Sequence, residues 1–177
     1  MSDHQDSLGI DADVLMNLLA TDQLGPILDA SELAGLICPR TEREALYLHP
    51  RVASDPRDVI ELGHFVSAGI LSRTELDSAE TARFVELAKR VDDGEAQVLA
   101  VCEHRSLPIA TDDKKARSLA AELGVPTLST PDLVFAWCAT VSDAECAAAL
   151  LDIEVRATYR PGATDPHRAE WDRRKAG

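Results

Sequence analysis

The sequence predicts an α/β protein: a short-stranded parallel sheet between two helical layers, three layers in all, with extra helices at the C-terminal end. Three observations carry this. Short apolar runs alternate with longer stretches of helical periodicity, which implies a parallel sheet covered on both faces. Hydrophobic residues make up 45% and charged residues 28% of the 177-residue chain, the balance of a globular domain. Aromatics are only 4%, so the core must come from Leu, Ala, Val and Ile. The length suits one domain, expected over residues 1–155, with a basic tail over 156–177.

The elements follow in order. Ser7-Leu8-Gly9-Ile10 reads as a first strand ending at Asp11. A helix starts at Asp13, with Val14, Leu15, Leu18 and Leu19 on one face, and Gly25-Pro26 breaks it. Leu36-Ile37-Cys38 is a second strand, stopped by Pro39. Thr41 and Glu44 have capping-box spacing, so a helix opens there and fades near His49-Pro50. Residues 50–58 read as a loop, followed by a helix through Val59–Val66 and a third strand at Gly69-Ile70-Leu71. Thr74–Val91 is an amphipathic helix broken at Asp92-Asp93-Gly94. Glu95–His104 is helical again, with Val98, Leu99 and Cys102 inward. Leu107–Thr111 is a strand, Asp112–Leu123 a helix stopped by Gly124, and Val125–Leu128 the last strand. Thr130 caps a helix with Pro131 at its first position, running to about Thr140. Ser142 and Glu145 open another, to Leu151. From Arg160 on, Pro161, Gly162, Pro166 and the charges read as a loose tail, disordered or folded back on the body.

Charge narrows the function classes. With 18 basic and 31 acidic residues the chain carries a formal −13, and the tail 156–177 holds six basic groups against three acids. A body this acidic does not hold nucleic acid by general electrostatics; it needs cations in an acidic cleft or a local basic patch. The start of the chain lacks the basic and apolar regions of an export signal, and no run is long enough to span a membrane, so a cytoplasmic protein is expected. Cys38, Cys102, Cys138 and Cys146 show no C-x-x-C spacing and read as buried free thiols in a reducing compartment. The five histidines show no ligand spacing; Trp137 reads as core, and Trp171 is left open.

The chemistry-bearing residues are acids at strand ends. Asp11 follows the first strand, and Asp112 and Asp113 follow the strand at 107–111. In open parallel sheets ligands bind outside the carboxyl ends of the strands. Glu44 and Glu95, each in the first turn of a helix, are placed to join them. Converging carboxylates repel one another unless a cation binds, and hard ions such as Mg²⁺ or Mn²⁺ prefer oxygen ligands. One or two such ions suit in-line attack of water on a phosphodiester. Each acid also has a purely structural role open to it. Asp11 and Asp13 can end a strand and cap a helix, Glu44 can complete a box with Thr41, Glu95 can answer a helix dipole, and Asp112 can be an N-cap.

Over residues 8–140 the chain resembles the PIN domain family. The resemblance is carried by Leu8-Gly9-Ile10-Asp11-Ala12-Asp13-Val14-Leu15, similar to the family's strand followed by D-x-[NS]-x-L, and by Pro39 to Leu46, similar to P-x-x-x-x-E-x-L. Gly94-Glu95-Ala96-Gln97-Val98-Leu99-Ala100 and Thr111-Asp112-Asp113-Lys114-Lys115-Ala116-Arg117 resemble the G-E-A-E-A-x-x-L-A and T-D-D-x-x-A-R elements of one subgroup. Asp13 stands where Asn or Ser is usual, Glu95 replaces an Asp, and Gln97 replaces a second Glu. The resemblance implies a Mg²⁺- or Mn²⁺-dependent ribonuclease with catalytic acids Asp11, Glu44, Glu95 and Asp112, and with Asp113 as a fifth metal ligand. It also implies an RNA substrate met by Lys114, Lys115, Arg117 and Arg43, a homodimer and, as in VapC-type toxins, an antitoxin partner. Those cations equally read as solvated surface.

Two other readings fit the same residues. Asp11-Ala12-Asp13-Val14 matches the D-x-D-x-[TV] opening of haloacid dehalogenase-like phosphatases, with Asp11 as nucleophile and Asp13 as acid/base. A catalytically inactive PIN-like module that binds a protein through its acidic surface is the third. Only the nuclease needs Glu44.

Overall fold

A computed structural model describes residues 7–176. Its strands are β1 (Ser7–Ile10), β2 (Ala34–Ile37), β3 (Tyr47–Leu48), β4 (Asp58–Val59), β5 (Leu71–Arg73), β6 (Ile109–Ala110) and β7 (Thr127–Leu128). Its helices are α1 (Ala12–Ala20), α2 (Leu24–Ala30), α3 (Pro39–Glu44), α4 (Gly63–Ser67), α5 (Ser78–Leu87), α6 (Asp93–Arg105), α7 (Lys114–Leu123), α8 (Thr130–Cys138), α9 (Asp143–Asp152) and α10 (Arg168–Lys175). A π-helical turn, Ile153–Ala157, continues α9.

Five strands form one parallel sheet in the order β5-β2-β1-β6-β7, and β3 pairs antiparallel with β4 in a separate hairpin. This is the α/β sheet the alternating pattern predicts, between two helical layers. On one face Leu8 and Ile10 join α1, α2, α8 and α9 in a core with Leu15, Leu18, Ile27, Val134 and Leu150. On the other, Leu36 and Ile109 meet Leu87 of α5, Val98, Leu99 and Cys102 of α6, and Leu119 of α7. Gly9 lies under α6, where a Cβ would run into the Cys102 and Val98 side chains. The strand order turns outward from β1, with β2 on one side and β6 on the other. The crevice at the carboxyl ends of β1 and β6 is therefore the topological switch point where such sheets bind ligands.

Several local expectations are corrected. Gly25-Pro26 lies inside the first turn of α2, where Pro's missing N–H has no partner to lose; the break comes earlier, at Asp22 with φ 56°. Thr41 is not a cap. Pro39 is the first residue of α3, and the Thr41 hydroxyl donates to Ile10 O at 3.2 Å. The stretch after α3 is not helix, because Tyr47 pairs with Val59 in the hairpin; the helix expected through Val59–Val66 shrinks to α4. The long helix begins only at Ser78, behind a capping box of Asp77 and Glu80. Asp113 rather than Asp112 caps α7, and Ser129 rather than Thr130 caps α8. The box of Ser142 and Glu145 is present as expected. Cys138 and Cys146 are joined in a disulfide between α8 and α9, so only Cys38 and Cys102 are free thiols; burial pushes the Cys38 thiol up to about 12 and Cys102 higher.

The tail folds back. Trp171 of α10 is fully buried, its indole N–H donating to Glu154 at 2.9 Å, and it packs beside Phe135 and Tyr159. Arg156 is buried too, bound to Ala20 O, Asp22 and Asp58. The tail's cations are spent within the protein: Arg160 and Arg168 on Asp172, Arg173 and Arg174 on Glu170, Lys175 on Glu154. Among the described residues no helix is long and apolar enough to cross a membrane. The expectation of no export signal concerns the first six residues, which lie outside the described ones.

Candidate functional site

Three chain segments bring acids to the switch point. Asp11 follows β1 at the N-cap position of α1 and is only 5% exposed. The Thr111 hydroxyl, at the end of the neighbouring β6, donates to its Oδ2 at 3.1 Å. Glu95 sits in the first turn of α6, where its Oε2 accepts the Asp92 N–H at 3.2 Å. Glu44 is the last residue of α3, and its carboxylate lies against Gly94, where a Cβ would strike it. Because the Thr41 hydroxyl turns to Ile10 instead of capping α3, Glu44 has no box to complete and its carboxylate is free to lean on α6.

The electrostatics tie these groups together. Burial pushes Asp11 up from 3.8 to about 7, reinforced by the charges of Asp13 and Glu95. Burial also pushes Glu95 up to about 7, reinforced by Asp113, Asp92 and Asp13. Glu44 is raised by burial first and then by Asp13, Asp92 and Asp93, against the lowering effect of Arg40. Asp13, exposed in the first turn of α1, is the charge common to all three. Carboxyls raised by burial and by neighbouring acids are short of positive charge.

Asp112 and Asp113 divide differently from the sequence reading. Asp112 ends β6 as expected, but its carboxylate is taken up by the protein. Oδ1 accepts the Thr130 N–H at 2.9 Å; Oδ2 accepts the Thr130 hydroxyl at 2.6 Å and Asn17 Nδ2 at 3.1 Å. The Tyr159 hydroxyl faces the same carboxylate. Asp113 caps α7 through Oδ1, accepting from Lys115 and Ala116 N–H, and it is Asp113 whose charge reaches Glu95. Among the described residues no three His, Cys, Asp or Glu side chains are gathered closely enough to hold a metal ion, so Asp11, Glu44, Glu95 and Asp112 do not form a closed cage.

Of the expected cations, Lys114 and Lys115 are exposed on α7 and Arg117 is half-buried. Arg43 is exposed, its Nε donating to Pro39 O at 3.2 Å. Only Lys115 lines the cleft of about 320 Å³ that Glu95 and Asp113 open onto. The opposite wall of that cleft carries Lys89 and Arg90, which sequence reasoning missed. They end the α5 region with no motif to mark them. A larger cavity of about 690 Å³ lies away from the acids, between α2, α8 and α9. Arg40, beside Glu44, is held by Asp93 at 2.6 Å, and its N–H donates to the buried Gln97 at 2.9 Å.

No protein-family model matches this chain, and no curated protein matches it. The donor set itself suits a hard cation: carboxylate oxygens with no nearby thiolate or imidazole ligand among those described. Mg²⁺ in particular is commonly held by one or two carboxylates, with waters and substrate phosphate completing its shell. Asp11 and Glu95 are carboxylates of different segments, the charge of Glu95 reaching Asp11, and Glu44 lies against Gly94 in the first turn of α6.

Proposed function

We propose that the protein is a divalent-metal-dependent ribonuclease, of the kind its resemblance to PIN domains implies. The observation that carries this reading is that Asp11, Glu44 and Glu95, acids from three segments, are each raised by burial and by the charge of Asp13, while the Glu44 carboxylate packs on Gly94 at the start of the helix that carries Glu95. A phosphatase built on Asp11 and Asp13 would have no use for Glu44 in that group.

Asp11 and Glu95 would hold the ion, Glu44 and Asp13 would add negative charge around it, and Asp113 would stand behind Glu95. When bound, Mg²⁺ or Mn²⁺ supplies charge neutralisation at the scissile phosphate and a more acidic water. Thr111 fixes the Asp11 carboxylate, so its orientation is set before substrate arrives. Lys89 and Lys115 line the cleft beside Glu95, where they would take neighbouring phosphates in charge-assisted hydrogen bonds, while Arg90 on the same cleft is paired with Glu122 at 2.7 Å. Asp112 is a positioning residue in this reading: it ties the end of β6 to α1 and α8 through Asn17 and Thr130.

The test is an end-labelled mixed RNA pool incubated with the protein in Mn²⁺, Mg²⁺ or EDTA, beside Asp11→Asn and Glu44→Gln. Metal-dependent cleavage lost in both variants is the expected result. Folded protein that neither cleaves RNA nor binds Mn²⁺ would overturn the reading in favour of a binding module. Metal-dependent phosphatase activity that needs Asp11 but not Glu44 would replace it.

A further inference from the structure

We infer that Tyr47, on the hairpin beside Glu44, is a stacking platform for an unpaired base next to the scissile phosphate. The inference rests on the ribonuclease reading and adds a residue that positions the nucleotide beside the cleavage point.

A cleft of about 220 Å³ lies between the hairpin and the π-helical turn, lined by Glu44, Leu46, Tyr47, His49 and Thr158 among others. Glu44 therefore belongs both to the carboxylate group and to this cleft. A strand whose phosphate reaches the acids would place an adjoining nucleotide against Tyr47. Tyr47 is 44% exposed, and the guanidinium of Arg57, across the hairpin loop, stands 4.3 Å from its ring centroid. Aromatic rings and Arg planes are the surfaces on which single-stranded bases stack. Thr158 and the His49 imidazole lie at the edge of the same cleft, where base edges can be hydrogen-bonded.

The hairpin is also rigid enough for the task. Leu48 is buried in the core, and the His49 N–H donates to Arg156 O at 2.8 Å. Arg156 itself, buried, clamps Asp58 of β4 at 2.9 Å. The partner strand is thus fixed to the body, and Tyr47 is fixed to that strand through its pairing with Val59.

Charge explains why stacking is needed. With a net −13 the protein repels nucleic acid at long range, so general phosphate attraction contributes little. Base stacking is insensitive to that repulsion, and a double helix, with its bases paired inside, offers Tyr47 no face to take.

The experiment uses the full chain, with Tyr47→Ala and Tyr47→Phe checked for equal thermal unfolding. Cleavage of a single-stranded oligonucleotide is followed in Mn²⁺, and binding of its labelled form by fluorescence anisotropy in EDTA. Each is repeated with an abasic nucleotide beside the cleavage position and with a duplex of the same sequence. Tyr47→Ala should raise KM and Kd about tenfold, the loss of one stacked base, with kcat little changed. Tyr47→Phe should keep wild-type values. The abasic substitution should cost the wild type the same factor and Tyr47→Ala nothing more. Wild-type cleavage with Tyr47→Ala unaffected, or with independent losses from residue and base, overturns the platform while leaving the nuclease standing. Tyr47-dependent binding without any cleavage supports the platform and overturns the nuclease. No binding and no cleavage overturns both.

Discussion

Replacing Asp11 by Asn should stabilise the metal-free protein at neutral pH, although it removes a residue the proposed activity requires. The carboxyl is only 5% exposed and burial pushes its pKa from 3.8 to about 7. That rise is about three pH units, and at about 1.36 kcal/mol per unit, ionising Asp11 inside the fold costs about 4 kcal/mol. The sign follows from proton binding. Between pH 3.8 and about 7 the folded protein keeps a proton that the unfolded chain has lost, so stability falls as pH rises through that window. Asn carries no charge, is nearly the same size, and keeps an acceptor for the Thr111 hydroxyl.

The assay is urea unfolding in EDTA across pH. The advantage of Asp11→Asn should be about 2 kcal/mol near pH 5.5 and about 4 kcal/mol near pH 8. For a chain of this size the larger figure corresponds to a rise in Tm of roughly 8–16 °C. Saturating Mn²⁺ should close most of the gap by stabilising the wild type alone, about 2.7 kcal/mol at a hundredfold excess over Kd. An advantage that does not change with pH, or a variant less stable than wild type near pH 8, would refute the account of Asp11 as a carboxyl held against its own charge.

Three further outcomes are expected. Gly94→Ala should cut cleavage as deeply as Glu44→Gln with unfolding unchanged or slightly improved, because the new methyl displaces the Glu44 carboxylate while favouring helix α6; activity and stability measured on one preparation check it. Asp112→Asn should cost about 3 kcal/mol in denaturant unfolding, because its amide N–H₂ cannot accept from the buried Thr130 and Asn17 donors. It should still bind Mn²⁺ by titration, and loss of Mn²⁺ without loss of stability would make Asp112 a ligand after all. Trp171→Ala should cost about 3–5 kcal/mol, the range for emptying a buried Trp site, with the Asp11-dependent chemistry intact in the folded fraction.

Much of the fold is legible because its signals are local. The run 7–10, the apolar face of α6 and the Ser142–Glu145 box each declare themselves within a few residues. What escaped depends on partners distant in sequence. Thr41 and Glu44 have the same spacing whether the hydroxyl caps α3 or crosses to Ile10 O, and only the second leaves Glu44 for the site. Two-residue strands such as β3 and β4 are too short to show alternation. Trp171 is a lone aromatic among charges in α10, with no periodicity to mark a buried face. The Cys138–Cys146 pair joins two helices across a turn, which spacing alone does not reveal.

The candidate site was legible as a list of acids but not as a division of labour. Asp112 and Asp113 are adjacent at one strand end, so the chain directs them to different surroundings. One meets Thr130 and Asn17; the other caps α7 and faces Glu95. Sequence cannot tell which of two neighbouring carboxylates is consumed by hydrogen bonds. Physical chemistry can, once donors are placed. Burial raises Asp112 as well, but both of its oxygens are occupied by protein donors, which leaves a cation little access to them. Asp11, Glu95 and Glu44 are raised by burial and by neighbouring acids, and their carboxylates are not enclosed by donors in this way. In the proposed nuclease the metal-seeking groups are therefore Asp11, Glu95 and Glu44, which share Asp13 as a neighbouring charge. There Asp13, where the resembled motif has Asn or Ser, would add negative charge around the ion; its charge is second to burial in the cost of ionising Asp11 that the Asp11→Asn experiment measures.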